Sequence, residues 1–267
     1  MGSLQQWFIA FLIFVGLGVS GIEAQTRQTA RRAAGQVQPD SAEQLFALGN
    51  EARAQSGVGR LQWDPALAAA AMKHCLLMTA EGPISHRYAG EPDLTTRAGE
   101  AGAHFSLIEE NIATGPDPFT IQQEWLHSPG HRANMLSRDV DHVGVAVVES
   151  RGVLYAVTDF SRAVAVLTPA QAEASVAGLM RVSGIAMRRD SRDARAACAT
   201  DRGIQASVDG GQPQFVMRWQ NSDLSQLPPD LVARLASGRY RQASVGSCPA
   251  RGDVGAFTTY RIAVLLY

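Results

Sequence analysis

The chain is short of several things. Of its 24 basic residues only Lys73 is a lysine, and acids and bases nearly balance at a formal net charge of -1. A broad positive field of the kind nucleic-acid binders carry is therefore absent, and no nucleic-acid partner is expected. The serines at 85, 106 and 128 lie in no G-x-S-x-G turn, so a nucleophile elbow is excluded. There is no Gly-rich phosphate loop and no H-E-x-x-H pair on one helix, which removes the short signatures of nucleotide enzymes and zincin proteases. Three cysteines are too few for a disulfide scaffold. Hydrophobic runs are also short. The one near the N-terminus, Trp7 to Val19, falls below the roughly 20 residues of a membrane span.

What is present bounds the rest. A length of 267 residues with 46% hydrophobic content accommodates two domains and a sizeable core. The run from Trp7, followed by small residues and ending at Ala24, reads as a signal peptide over 1–24 that is cleaved on export; the alternative is an anchor that is retained. Residues 25–38 carry no apolar period and are expected to be a flexible lead-in. In an exported protein two of the three cysteines are expected to pair. Cys75 falls within the helical pattern Leu67-Ala71-Cys75-Met78 and is expected to be a buried, unreactive thiol. That leaves Cys198 and Cys248 to form a disulfide.

Helix signals follow in order. Ser41-x-x-Gln44 reads as a capping box opening a helix that runs to about Ser56. Asp64-Pro65 supplies a cap and a first-turn proline for a second helix to about Thr79. Short helices are expected at Leu94 to Ala101 and Thr120 to His127. Pro129-Gly130 is expected to break the chain and set the tight turn that presents His131, with a further helical turn over His131 to Leu136. His142 to Val148 and Val153 to Phe160 form a predicted hairpin. Beyond Leu167, Thr168-Pro169-x-Gln171 opens another helix, then come a strand at Phe215 to Gln220, a helix at Pro228 to Ser237, and strands at Tyr240 to Val245 and Phe257 to Leu266. The last is apolar enough to be buried. The arginines between 181 and 202 are half offset by Asp190, Asp193 and Asp201 and read as a solvated face.

Several segments stand in a fixed order: Asn50-Glu51-Ala52-Arg53, Leu61-Gln62-Trp63-Asp64, Ser85-His86, Glu109-Glu110-Asn111-Ile112-Ala113, then Trp125 through Ser128-Pro129-Gly130-His131-Arg132-Ala133-Asn134-Met135-Leu136, with Val143-Gly144-Val145-Ala146 and Thr158-Asp159-Phe160 behind. This array resembles the CAP superfamily (cysteine-rich secretory, antigen 5 and pathogenesis-related proteins), most closely its bacterial SCP-like branch. The resemblance covers about half the chain. It implies a CAP-type α-β-α sandwich over 39–166; beyond its reach, the helix and strand signals of 167–267 read as a smaller α+β domain of unknown role, so the fold class expected is α+β.

It also implies a cleft lined by His86, Glu110 and His131, with Asn111 and Arg132 beside it. Some family members bind a divalent metal there, so His86, Glu110 and His131 become candidate ligands for Zn²⁺ or another divalent cation. Two imidazoles and a carboxylate with an open position suit such chemistry; a metal-free polar cleft is the alternative. The resemblance places a second cleft Glu shortly after the Trp, where this chain reads Leu126-His127-Ser128, so a four-ligand cage is not expected. Trp125 is expected in the core. Arg132 is expected to clamp Asp139, Asp141 or Glu110, and Asn111 and Asn134 to satisfy loop backbone. His74 is expected in the core or at its boundary, His104 and His127 on the surface, and His142 near the cleft. The functional expectation is a secreted or periplasmic module binding an extracellular or envelope ligand. The alternatives are a metal-dependent hydrolase of peptides or envelope material and a lipid or sterol carrier.

Overall fold

A computed structural model of the chain describes residues 35–203, 211–251 and 257–267. The expected signal peptide over 1–24 lies outside them.

The described chain opens with a short strand, β1 (Gln36–Val37), and the helix α1 (Pro39–Gln55). The end of the supposed lead-in is thus structured: Gln36 and Val37 pair antiparallel with Glu149 and Val148. α1 begins at Pro39, with Gln38 as a cap residue that makes no side-chain bond. Ser41 therefore lies inside the first turn, because a proline at N1 with its fixed φ starts the helix two residues before the predicted capping box. β2 (Gln62–Trp63) leads into α2 (Pro65–Glu81), where Asp64 caps the amides of Ala66 and Leu67. α3 (Leu94–Glu100) follows, capped by Asp93 on the amide of Thr96.

Next comes β3 (Phe105–Gly115), a strand the apolar pattern does not announce. Glu109, Glu110 and Asn111 interrupt its alternation, and those are the residues the site needs. α4 (Pro118–His127) and α5 (Pro129–Met135) then run almost head to tail. α4 ends at His127, at the expected break, and Pro129 is itself the first residue of α5, which takes in the helical turn expected from His131. β4 (His142–Ser150) and β5 (Val153–Ala163) make the predicted hairpin. Its turn residues Arg151 and Gly152 both have positive φ, at 53° and 80°, which matches the twist of the flanking strands.

The first sheet has the order β1-β4-β5-β3, with β2 alongside the other end of β4. α1, α4 and α5 cover one face over a core containing Leu45, Ile121, Trp125, Val143, Val145 and Phe160. α2 covers the other over Ala71, Cys75, Met78, Ile112, Ala146 and Val157. β4 thus alternates its side chains between two buried faces. α2 packs directly on the backbone of Gly144, where a Cβ would come within 2.1 Å of the Ala68 nitrogen. Cys75 is buried in this layer and its thiol donates to the Tyr155 carbonyl at 3.1 Å.

The rest of the described chain builds a second sheet, order β6-β8-β9-β7, from β6 (Ala186–Met187), β7 (Phe215–Asn221), β8 (Gln242–Cys248) and β9 (Tyr260–Leu266). Its helices are α6 (Pro169–Val182), α7 (Arg192–Ala199) and α8 (Pro229–Ala236). α6 opens with the predicted capping box on Thr168 and Gln171. α6 and α8 bury one face of the sheet around Val176, Met180, Leu231 and Ile262. α7 packs on the other face, against Ala263 and Leu265. Cys198 at the end of α7 is disulfide-bonded to Cys248 at the end of β8. The arginine-rich stretch is paired both within itself, Arg192 with Asp190, and with groups beyond it: Arg195 grips Glu173 through Nε and Nη2, each at 2.7 Å, and Asp201 faces Arg251 and Arg261.

A short strap joins the two sheets. The Thr258 amide donates to the Phe105 carbonyl at 2.9 Å, and the Phe257 ring meets Phe105 edge to face at 5.6 Å. The Tyr260 hydroxyl donates to the Ala165 carbonyl and accepts from the Leu167 amide.

Candidate functional site

The site lies at an edge of the first sheet, where β3 has a neighbour on one side only. Strand geometry explains how it is assembled. Glu110 stands opposite Asp159 of β5, which stands opposite Gly144 of β4. This row faces α2, whereas the next row, Asn111 and Thr158, faces the opposite layer. Adjacent residues of one strand can therefore hold groups that arrive from the two faces.

On the α2 face, the loop after α2 brings His86 onto Glu110, with Nδ1 and Oε1 at 2.8 Å. The imidazole remains largely exposed while the Glu110 side chain is buried, at 59% and 3%. Glu110 Oε2 receives Arg97 Nη2 from α3. Arg97 is itself only 3% exposed, and its Nη1 donates to the His86 carbonyl at 3.4 Å and faces Glu91 Oε1 at 3.8 Å. Glu91 in turn meets His74 Nδ1 at 2.6 Å and accepts the Tyr88 amide at 3.0 Å. The other His74 nitrogen reaches the Ser85 carbonyl at 2.9 Å. Three side chains, His74 of α2, Glu91 of the following loop and Arg97 of α3, thus hold the backbone at Ser85, Tyr88 and His86.

On the other face, Asn111 Nδ2 donates to the His131 carbonyl at 2.9 Å, and Asn134 Nδ2 donates to the Glu110 carbonyl and to Asn111 Oδ1. α5 is thereby fastened to β3 with His131 beside the sheet edge. The asparagines serve a strand and a helix here, not the loops expected of them. Trp125 is buried as predicted and donates to the Ile112 carbonyl.

The electrostatics follow from this packing. The hydrogen bond to Glu110 holds His86 above the ordinary imidazole range, against partial burial and the Arg97 charge. Desolvation, and then the charge of His86, hold His131 below it. Burial by itself would raise Glu110, but His86 and Arg97 together keep it below the usual carboxylate range. Asp159 is the counterpart. It is completely buried, neither carboxyl oxygen accepts a hydrogen bond, and burial followed by the Glu110 charge pushes it well above that range. Two carboxyls side by side cannot both ionise cheaply, and Glu110, paired with His86 and Arg97, is the one favoured as the anion.

Of the residues the sequence pattern singles out, the structure brings some together and leaves others apart. His86 and Glu110 are in direct contact, and His131 is close enough to feel the charge on His86. Arg132 is exposed on α5; the guanidinium on Glu110 belongs to Arg97, Asp139 pairs with Arg162, and Asp141 accepts from His142 and the Ala163 amide. His142 is accordingly engaged with Asp141. His104 and His127 are exposed as expected, and His74 is fully buried. Besides Glu110 and Asp159, the buried acid near His86 is Glu91, five residues after it, not a residue after Trp125. The sequence signal available for it was a Glu in the same loop as the first His. Arg97 left no such signal, being one arginine among many.

The donor set does not fit a resident divalent ion in this arrangement. Both oxygens of Glu110 are engaged by His86 and Arg97, and His86 spends Nδ1 on that bond. Among the described residues no group of three or more His, Cys, Asp or Glu is placed to hold a metal.

Residues 46–160 match the cysteine-rich secretory protein family, CAP. Over 112 residues the chain is 33% identical to the uncharacterized membrane protein YlbC of Bacillus subtilis (strain 168), covering 42% of this chain and 32% of that one. It is 31% identical over 107 residues to the uncharacterized protein YkwD of the same organism, covering 39% and 40%. The chain therefore spans well under half the length of either relative. Among solved structures, an extracellular protein containing a SCP domain from Bacillus anthracis str. Ames is 30% identical with a TM-score of 0.43, covering 46% of this chain and 40% of that one. The matched stretch coincides with the two-faced sheet that carries His86, Glu110 and His131, and residues 46–160 are a CAP domain of the cysteine-rich secretory protein family.

Proposed function

We propose that the protein is an extracytoplasmic binding module whose CAP cleft receives a hydrogen-bond acceptor, a carboxylate or carbonyl of an envelope or extracellular ligand. The observation that carries this reading is the largely exposed imidazole of His86 anchored on a buried, charged Glu110. The anchor fixes the ring and favours its protonated form, so Nε2–H is a preorientated donor toward solvent. His131 at the same edge supplies a second, neutral imidazole. A disulfide suits export to an oxidising compartment. No helix among the described residues is long and apolar enough to cross a membrane.

The test is ligand titration followed on the imidazole ¹H–¹⁵N signals of His86 and His131, using soluble muropeptides, free peptides and lipid micelles as separate probes. One probe class should shift both rings saturably, and His86→Ala should abolish the response of His131. Unmoved rings in all three titrations would sink the reading.

A hydrolase is the second reading, favoured by the opposite displacement of the two imidazoles. Separated proton affinities in one site are how acid and base roles are divided. It requires new termini or reducing ends from peptide or muropeptide substrates, lost in both His86→Ala and His131→Ala.

A further inference from the structure

Arg97 belongs to none of the motifs that mark the cleft, yet it touches every acidic group there except Asp159. We infer that Arg97 takes the place of a cation in the cleft, closing Glu91 and Glu110 to metal ions and leaving the two imidazoles to a hydrogen-bonding ligand. This deepens the binding reading and leans on it only for the nature of the ligand.

The first ground is burial. A guanidinium at 3% exposure is tolerated only where carboxylates and carbonyls replace its water, and the fork of Arg97 meets Glu110, Glu91 and the His86 carbonyl. The second is saturation. Glu110 Oε1 is occupied by His86 and Oε2 by Arg97; Glu91 Oε1 faces His74 and Arg97, and Oε2 accepts the Tyr88 amide. No carboxylate oxygen of the pair is left without a donor, whereas a metal needs lone pairs aimed at one point. The third is rigidity. α3 is capped by Asp93 and the Arg97 amide donates back to the Asp93 carbonyl at 2.9 Å, so the guanidinium is delivered by a fixed turn. Without it, two buried carboxylates would face each other beside His86, a donor set suited to a divalent ion.

The experiment uses Co²⁺ as a spectroscopic probe on the whole exported chain. Wild type and Arg97→Lys should show no visible d–d bands and no cobalt-dependent rise in melting temperature. Arg97→Met should acquire both, and should lose both when combined with His86→Ala. Cobalt bands in wild type that disappear in His86→Ala overturn the inference, as does a folded Arg97→Met that binds no cobalt. If Arg97→Met does not fold alone, it is refolded with and without Co²⁺ and followed by circular dichroism: recovery only with the ion supports the inference, and no recovery overturns it. Cobalt binding by wild type would remove the role of Arg97 and leave the cleft a binding site. Unmoved imidazoles with every ligand would remove the binding reading and leave the role of Arg97 standing.

Discussion

Burial, and then the Glu110 charge, push Asp159 well above the usual carboxylate range. Its folded value lies far above the unfolded one, so between them the native state binds more protons and stability falls as pH rises through that window. Asp159→Asn keeps the shape and supplies a donor for Glu110. The expected outcome is a variant at least as stable as wild type near neutral pH, with a flatter pH dependence above the ordinary carboxylate range, measured by urea unfolding across pH. A steeper loss in the variant would contradict the proton assignment. His86 is also raised by Glu110, here through a hydrogen bond that favours its charged form. Its contribution to stability is complete below the unfolded imidazole value of about 6.5 and is lost as pH rises through the folded value. In Glu110→Gln the imidazole should titrate lower than in wild type, as read from its NMR shift against pH. Cys75 is a buried thiol pushed up to about 12 by burial. It should resist thiol reagents in the native protein and react on unfolding, which absorbance with a disulfide reagent would show.

At the scale of elements, two helices sit on bare glycine backbone. α2 crosses β4 at Gly144, and α7 crosses β8 at Gly246, where a Cβ would come within 2.2 Å of the Ala194 carbonyl carbon. Neither obstacle is the flexible end of a side chain, so one methyl group forces the helix off the sheet. Gly144→Ala should cost several kcal/mol, beyond the roughly 1–3 kcal/mol typical of overpacking, because α2 carries both the core residue Met78 and His74. Its chemical denaturation midpoint should fall accordingly, and a shift near zero would mean that α2 does not press on β4. Asp64→Ala, which removes the cap of the same helix, should cost only about 1 kcal/mol. The contrast separates backbone contact from capping at the two ends of one argument about α2. Of the elements carrying the site, α2 and α3 were legible from caps and apolar spacing. β3 was not, because a strand that holds Glu109, Glu110 and Asn111 in mid-course violates the period on which strand recognition depends.

For the whole molecule, the disulfide between Cys198 and Cys248 closes 50 residues. The chain-entropy account gives it about 4 kcal/mol. Reduction should loosen the second sheet, seen as accelerated amide exchange in α7 and β8, while the CAP domain keeps its exchange pattern. Coupling between the sheets runs through the strap at Phe257 to Tyr260, which ends on Phe105 at the start of β3. The amino-acid sequence by itself determined the CAP-like array, because a long spaced pattern such as Trp125 to Leu136 survives reading one residue at a time. It also determined the caps at Asp64 and Thr168 and, by elimination of a mid-helix cysteine, the disulfide. Only the tertiary structure decided which groups meet. Arg97 reaches Glu110 across 13 residues and His74 reaches Glu91 across 17, and no local pattern records such pairings, since burial and alternation across a sheet choose them. For the same reason the structure gave Glu110 to Arg97 and not to Arg132: a strand presents successive side chains to opposite faces, and the two arginines approach β3 from different sides.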